Sequence, residues 1–176
     1  MGEIYIKDGK STATLLFGEL EFCDKNGKLL YYSKLTEFMP ALDCHASAIA
    51  LPDKYRIFNA DGTALTEVIR NKRKVMPEFE ARVLETGELV STVKKRFSII
   101  KLPIEMITKI GNCVITGNVF KRNFHIVDAD GTELFSVKKA DVLWGEAFVV
   151  EYNDELIDYI VTTMILTIES AYHTGN

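Results

Sequence analysis

Residues 154–171 read DELIDYIVTTMILTIESA, and no charge falls between Asp158 and Glu169. Only Thr162, Thr163 and Thr167 break the run of Tyr, Ile, Val, Met and Leu. Three structures compete for such a segment. A membrane span needs about 20 apolar residues, roughly twice the uncharged run, and neither flank carries the cationic anchors usual for a span. A buried pair of strands suits the β-branched Ile157, Ile160, Val161, Ile165 and Ile168. Length favours a helix, because strands average about 5–6 residues and this segment is about three times that. Asn153 and Asp154 supply an N-cap, and Asp154, Glu155 and Asp158 put negative charge at the positive end of the helix dipole. Gly175 offers a stop. The predicted element is a helix over about 154–171. Being apolar on every side, it has to be enclosed.

The material for enclosure lies upstream. Short runs of Val, Ile, Leu, Phe and Tyr alternate with Gly-bearing turns, the pattern of an all-β chain. One unit recurs: YRIFNADGTALTEVIR at 55–70 and FHIVDADGTELFSVKK at 124–139, with looser relatives around Gly27 and Gly87. Each reads as a β-hairpin, and Asp-Gly at the tip signals a two-residue type I′ turn. The implied register sets Ile126 opposite Phe135 and Phe124 opposite Val137, and likewise Ile57 opposite Thr66 and Tyr55 opposite Val68. On the other face Arg56 meets Glu67 and His125 meets Ser136. One face of each hairpin is thus largely apolar and needs a cover.

A helix with its side chains is about 10–12 Å across, too wide for an eight-stranded barrel. Around ten to twelve strands are needed. Eighteen helical residues span about 27 Å, which strands of about eight residues match. Residues 36–53 are the least regular part, holding a loop or a strand that ends at Pro52, and 101–111 form a short helix or strand. No linker or low-complexity tract divides the chain, so residues 1–176 are expected to form one domain.

Composition is that of a soluble globular protein, 47% hydrophobic and 26% charged. A net charge of −4 argues against a dedicated nucleic-acid binder. Charge is spread unevenly: residues 70–101 hold nine Lys/Arg against four Glu, whereas the chain after Lys139 holds seven acids and no Lys or Arg. Cys23, Cys44 and Cys113 are odd in number and lack CxxC spacing, which points to a reducing, cytoplasmic setting and away from disulfides or zinc. The first residues lack the apolar core of a signal peptide.

The order of motifs in the C-terminal third resembles the LURP-one-related family of the tubby C-terminal-like superfamily. Ile115 and Gly117 precede Phe124-x-Ile126 and the Gly131 turn. Val137-Lys138-Lys139, Trp144-Gly145, an alternating strand through Phe148 and Val150, and an apolar helix with an acidic start then follow. The hairpins around Gly27, Gly62 and Gly87 fit the same pattern more loosely. The resemblance implies a closed antiparallel barrel of about twelve strands wrapped around a central C-terminal helix. Tubby proteins bind phosphoinositides and phospholipid scramblases act at membranes, whereas LURP-one-like members generally lack an assigned activity, so the resemblance carries over fold more than function. No residue of the tubby phosphoinositide site has a counterpart here.

Catalytic motifs are absent: there is no GxSxG, P-loop, GxGxxG or HExxH. Asp43, Cys44 and His45 would alternate across a strand rather than converge. Cys113 reads as a small core residue. Asp128, Asp130 and Glu133 imitate a calcium loop, but the spacing would make Ile126 the first ligand and Val137 the twelfth. Trp144 sits at a hairpin bend, as a packed rim residue or a ligand platform. The expected protein is not an enzyme and takes no cofactor or metal. It is a cytoplasmic binding module, peripheral to a membrane, that meets phospholipid headgroups through Lys72, Arg73, Lys74, Lys94, Lys95, Arg96, Lys121, Arg122, Lys138 and Lys139 on the barrel exterior. The same cations at strand ends also serve to block edge pairing. The alternatives are a protein-interaction domain without a small ligand, and an enzyme with an unrecognised surface site. A helix-filled barrel leaves no large interior cavity, so each reading puts the site outside.

Overall fold

A computed structural model of the chain describes residues 1–7, 19–38, 52–71, 78–95, 104–109 and 111–173. Its strands are β1 (Gly2–Lys7), β2 (Glu21–Cys23), β3 (Leu29–Phe38), β4 (Pro52–Asn59), β5 (Ala64–Arg70) and β6 (Glu78–Val83), then β7 (Leu89–Lys95), β8 (Ile104–Thr108), β9 (Gly111–Asn118), β10 (Asn123–Val127), β11 (Glu133–Val142) and β12 (Gly145–Tyr152). Each pairs antiparallel with its neighbour in sequence, and β1 pairs with β12 from Gly2↔Tyr152 to Lys7↔Ala147, so the sheet closes. The single described helix, α1 (Asp158–His173), runs inside.

The barrel therefore has the strand number that the width of a helix demands, and the hairpin registers agree with the sequence reading. Phe124↔Val137, Ile126↔Phe135, Tyr55↔Val68 and Ile57↔Thr66 pair as expected, as do Arg56↔Glu67 and His125↔Ser136. The turns do not. A type I′ turn needs positive φ at both central residues, yet Gly62 and Gly131 are left-handed while Asp61 and Asp130 are not. Each tip is a longer loop closed by two backbone bonds, Asn59 N–H to Thr63 and Gly62 N–H to Asn59 in one and Asp128 N–H to Thr132 and Gly131 N–H to Asp128 in the other, with the strand register slipping beside it. The turn at Asp24–Lys28 repeats the arrangement. In each, an Asp or Asn carboxyl or amide oxygen accepts from backbone N–H groups ahead of it, as Asp24 Oδ1 does from Asn26 and Lys28 and Asp128 Oδ1 does from Asp130 and Thr132. The side chain at the first position thus selects the turn.

Two boundaries also differ. Pro52 begins β4 rather than ending a strand, a position where its missing N–H costs no ladder bond. The helix begins at Asp158, not Asp154. Asn153 closes a separate turn in which its backbone oxygen accepts from Leu156 and its side chain accepts from Glu155. Asp154 is drawn away by an ion pair with the Met1 amine. Residues 101–111 contribute the strand β8. Gly175 and most of 36–53 lie outside the described residues.

Every residue from Val161 to Ala171 is buried, which explains why no face of the segment is polar. Its three threonines are not exceptions to that rule. Thr162 and Thr163 donate to the Tyr159 carbonyl at 2.9 and 2.6 Å, and Thr167 donates to Thr163 at 2.7 Å. Thr163 Oγ1 also lies 2.7 Å from Thr66 Oγ1 on β5, and Ser91 on β7 reaches Thr167 at 3.5 Å. These hydroxyls join helix to wall on the side where the two are closest, β5 to β7. On the far side Phe22, Phe124 and Phe135 are fully buried and span the wider gap.

Candidate binding surface

The helix fills the barrel, so the outside and the two ends are the places where a partner can be met. Strand directions sort the charges between those ends. Strands β5 and β7 finish at Arg70 and Lys95, and the β9–β10 turn carries Lys121, all at the end where the helix C-terminus lies. The opposite end has the reverse balance. Its turns at 24–28, 59–63, 84–88, 109–110, 128–132 and 153–158 contain nine carboxylates against three lysines. Among the described residues, the turns around the helix N-terminus are thus mostly acidic, while Arg70, Lys95 and Lys121 lie at the other end.

The individual cations are less alike than their sequence suggests. Lys94 lies 3.7 Å from Glu78, Lys138 is 2.7 Å from Glu151 and Lys139 is 3.0 Å from Glu146, so these three sit in a wall of cross-strand ion pairs. Such exposed pairs contribute little to stability, about 0–1 kcal/mol each, but each carboxylate offsets the positive charge that its lysine presents. Lys121 is exposed and its backbone N–H caps onto Asn118. Lys95 is placed by the β7 register, whereas Lys72, Arg73, Lys74 and Arg96 lie outside the described residues.

Arg122 departs from the expectation of an exterior cation. It is 4% exposed, with its Nε 2.9 Å from Glu169 Oε1 on the helix and its guanidinium 5.2 Å from the centre of the Phe148 ring. Its φ of 47° is the only left-handed value among the described non-glycine residues. That twist at the end of the β9–β10 turn aims the side chain into the barrel instead of outward. The burial signal was faint in the sequence: Glu169, the one charge in the apolar run's C-terminal half, needs a partner once enclosed.

Trp144 is also held rather than displayed. Its Nε1 donates to the Lys25 carbonyl at 3.2 Å and its ring lies on Gly27, where an added Cβ would come within 2.9 Å. The β11–β12 tip is thereby tied across β1 to the β2–β3 turn, which leaves Leu143 fully exposed beside it. Cys23 and Cys113 are buried, and desolvation raises both thiols, so neither has the thiolate character of a nucleophile. The Asp128 carboxylate is occupied by its own turn, and no group of His, Cys, Asp and Glu suited to a metal occurs among the described residues. Asp43, Cys44 and His45 lie outside them. No helix is long and apolar enough to cross a membrane among the described residues.

One recess opens at the acidic end, between the start of the helix and strands β6 to β8. It has a volume of about 50 Å³ and is walled by Val83, Leu89, Val90, Leu156, Ile160 and Met164. Glu88 and Lys109, 2.9 Å apart, stand at its edge.

A family model described as LURP-one-related matches residues 18–168. The solved structures include an X-ray structure of a protein from Arabidopsis thaliana with a TM-score of 0.59 and 15% sequence identity, covering 97% of this chain and 90% of that one. At that identity the likeness is one of fold. No curated protein matches.

Proposed function

Because the chain belongs to the LURP-one-related family and its helix-filled barrel leaves only the exterior for a partner, we propose that it is a non-enzymatic binding module that rests the end carrying Arg70, Lys95 and Lys121 on an anionic phospholipid surface. The observation that carries this reading is the placement of Arg70, Lys95 and Lys121 at one end of the barrel. Each Lys or Arg close to an anionic leaflet contributes about 1 kcal/mol. The acidic pole is repelled by the same surface, so charge alone orients the molecule. A cytoplasmic, membrane-peripheral location and a kinship with tubby proteins and scramblases belong to the same proposal.

Sedimentation with vesicles of phosphatidylcholine, with and without phosphatidylserine, tests it. Binding should require phosphatidylserine and weaken at high salt. It should be lost when Lys94, Lys95 and Arg96 are reversed to Glu, and survive reversal of Glu85 at the other pole. Binding that ignores both the anionic lipid and the first set of reversals would sink the proposal.

A further inference from the structure

The acidic pole combines two features that together describe a second kind of partner. The recess there is lined almost wholly by aliphatic side chains. The one hydroxyl in its wall, Thr108, is engaged by the Gly111 carbonyl at 3.2 Å. Nothing polar inside it asks for a ligand. At its edge Glu88 is paired with Lys109, while the exposed Glu85 lies on the same β6–β7 turn and the exposed Glu155 comes just before the lining residue Leu156. Ile157, 57% exposed beside the lining residue Leu156, extends the apolar surface past the rim. A greasy hole at an end whose turns hold nine carboxylates against three lysines is complementary to a basic chain with one apolar anchor.

Size narrows the anchor. A dry cavity of about 150 Å³ admits a benzene ring, and this recess has a third of that volume. An aromatic ring or a lipid chain is too large, whereas the end of one aliphatic side chain fits. From these observations we infer that the acidic end docks a short basic segment of a protein partner, seating one Leu-like side chain between Leu89, Leu156 and Met164 while Glu85 and Glu155 hold its cations. This surface is at the opposite end from Arg70, Lys95 and Lys121, so the inference stands whether or not the protein binds lipid.

The probe is a fluorescein-labelled peptide of lysines and glycines around one central leucine, followed by anisotropy at low salt. Binding should weaken about tenfold when the leucine becomes alanine, as expected for loss of roughly two buried methylenes. A tryptophan centre should bind no better than alanine. Methyl resonances of Leu89, Leu156 and Met164 should move on titration. The exposed double substitution Glu85→Lys, Glu155→Lys should abolish binding with an unchanged melting curve and unchanged vesicle sedimentation. Equal affinity for the leucine and alanine peptides, no binding by either, or shifts confined to other methyls would each overturn the inference.

Discussion

Arg122 and Glu169 show how far one residue's role can lie from its sequence context. In the chain Arg122 follows Lys121 and looks like half of a surface cluster; in the structure it is a buried counterion for the helix. Removing one member of such a pair leaves a buried charge without compensation and costs about 3–5 kcal/mol, whereas replacing both with apolar groups is often neutral. Arg122→Met should therefore lower thermal stability strongly, and Arg122→Met with Glu169→Leu should recover most of the loss. Chemical denaturation of the two single variants and the double variant measures this. Additive losses in the double variant would show that the pair is not the coupling between the β9–β10 turn and the helix. Arg122 Nη2 has no hydrogen-bond partner among the described residues, which agrees with a pair held more by enclosure than by a full set of bonds.

Hairpins are the elements that repeat, and their strands were legible where their turns were not. Alternation of Phe124, Ile126, Phe135 and Val137 fixes which face is buried, and a slip of one residue would expose all four. The Asp-Gly pair, by contrast, suits more than one tip, and what selects the longer loop is the Asp or Asn three places before the glycine. Backbone N–H bonds from Lys28 and Asn26 hold the Asp24 carboxyl below the usual carboxylate range. The hydroxyl and N–H of Thr63 do the same for Asp61. A carboxyl depressed on folding lends stability above its unfolded pKa, about 3.9, and the contribution disappears as pH falls through the lower folded value. Carboxyl carbon shifts followed by NMR from neutral pH downward should show Asp24 and Asp61 titrating later than ordinary Asp. Midpoints at the ordinary value would mean that these turns are open in solution.

At the scale of the molecule, closure depends on the first strand. Ile4 and Ile6 are fully buried, and β1 alone joins β12 to β2. An uncovered sheet edge is a template for pairing with another chain. Deleting residues 1–7 should therefore open the barrel, lower the melting temperature and produce concentration-dependent oligomers on size exclusion. A monomer with an unchanged melting curve would show that the barrel closes without β1. The strand that completes the wall is separated from its partner by almost the whole chain, so closure adds the longest-range pairing to a fold already rich in non-local contacts.

The amino-acid sequence by itself determined the enclosed helix, the hairpin registers and a barrel of around ten to twelve strands, because hydrophobic periodicity and the width of a helix are local quantities that tertiary context only had to satisfy. Only the tertiary structure decided where the charges lie. Sequence neighbours such as Lys121 and Arg122 part company across the wall, while residues far apart in the chain, from Arg70 to Lys121, come to one pole. Which end a strand reaches, and which way a left-handed residue turns its side chain, are properties of the closed sheet and of no segment within it.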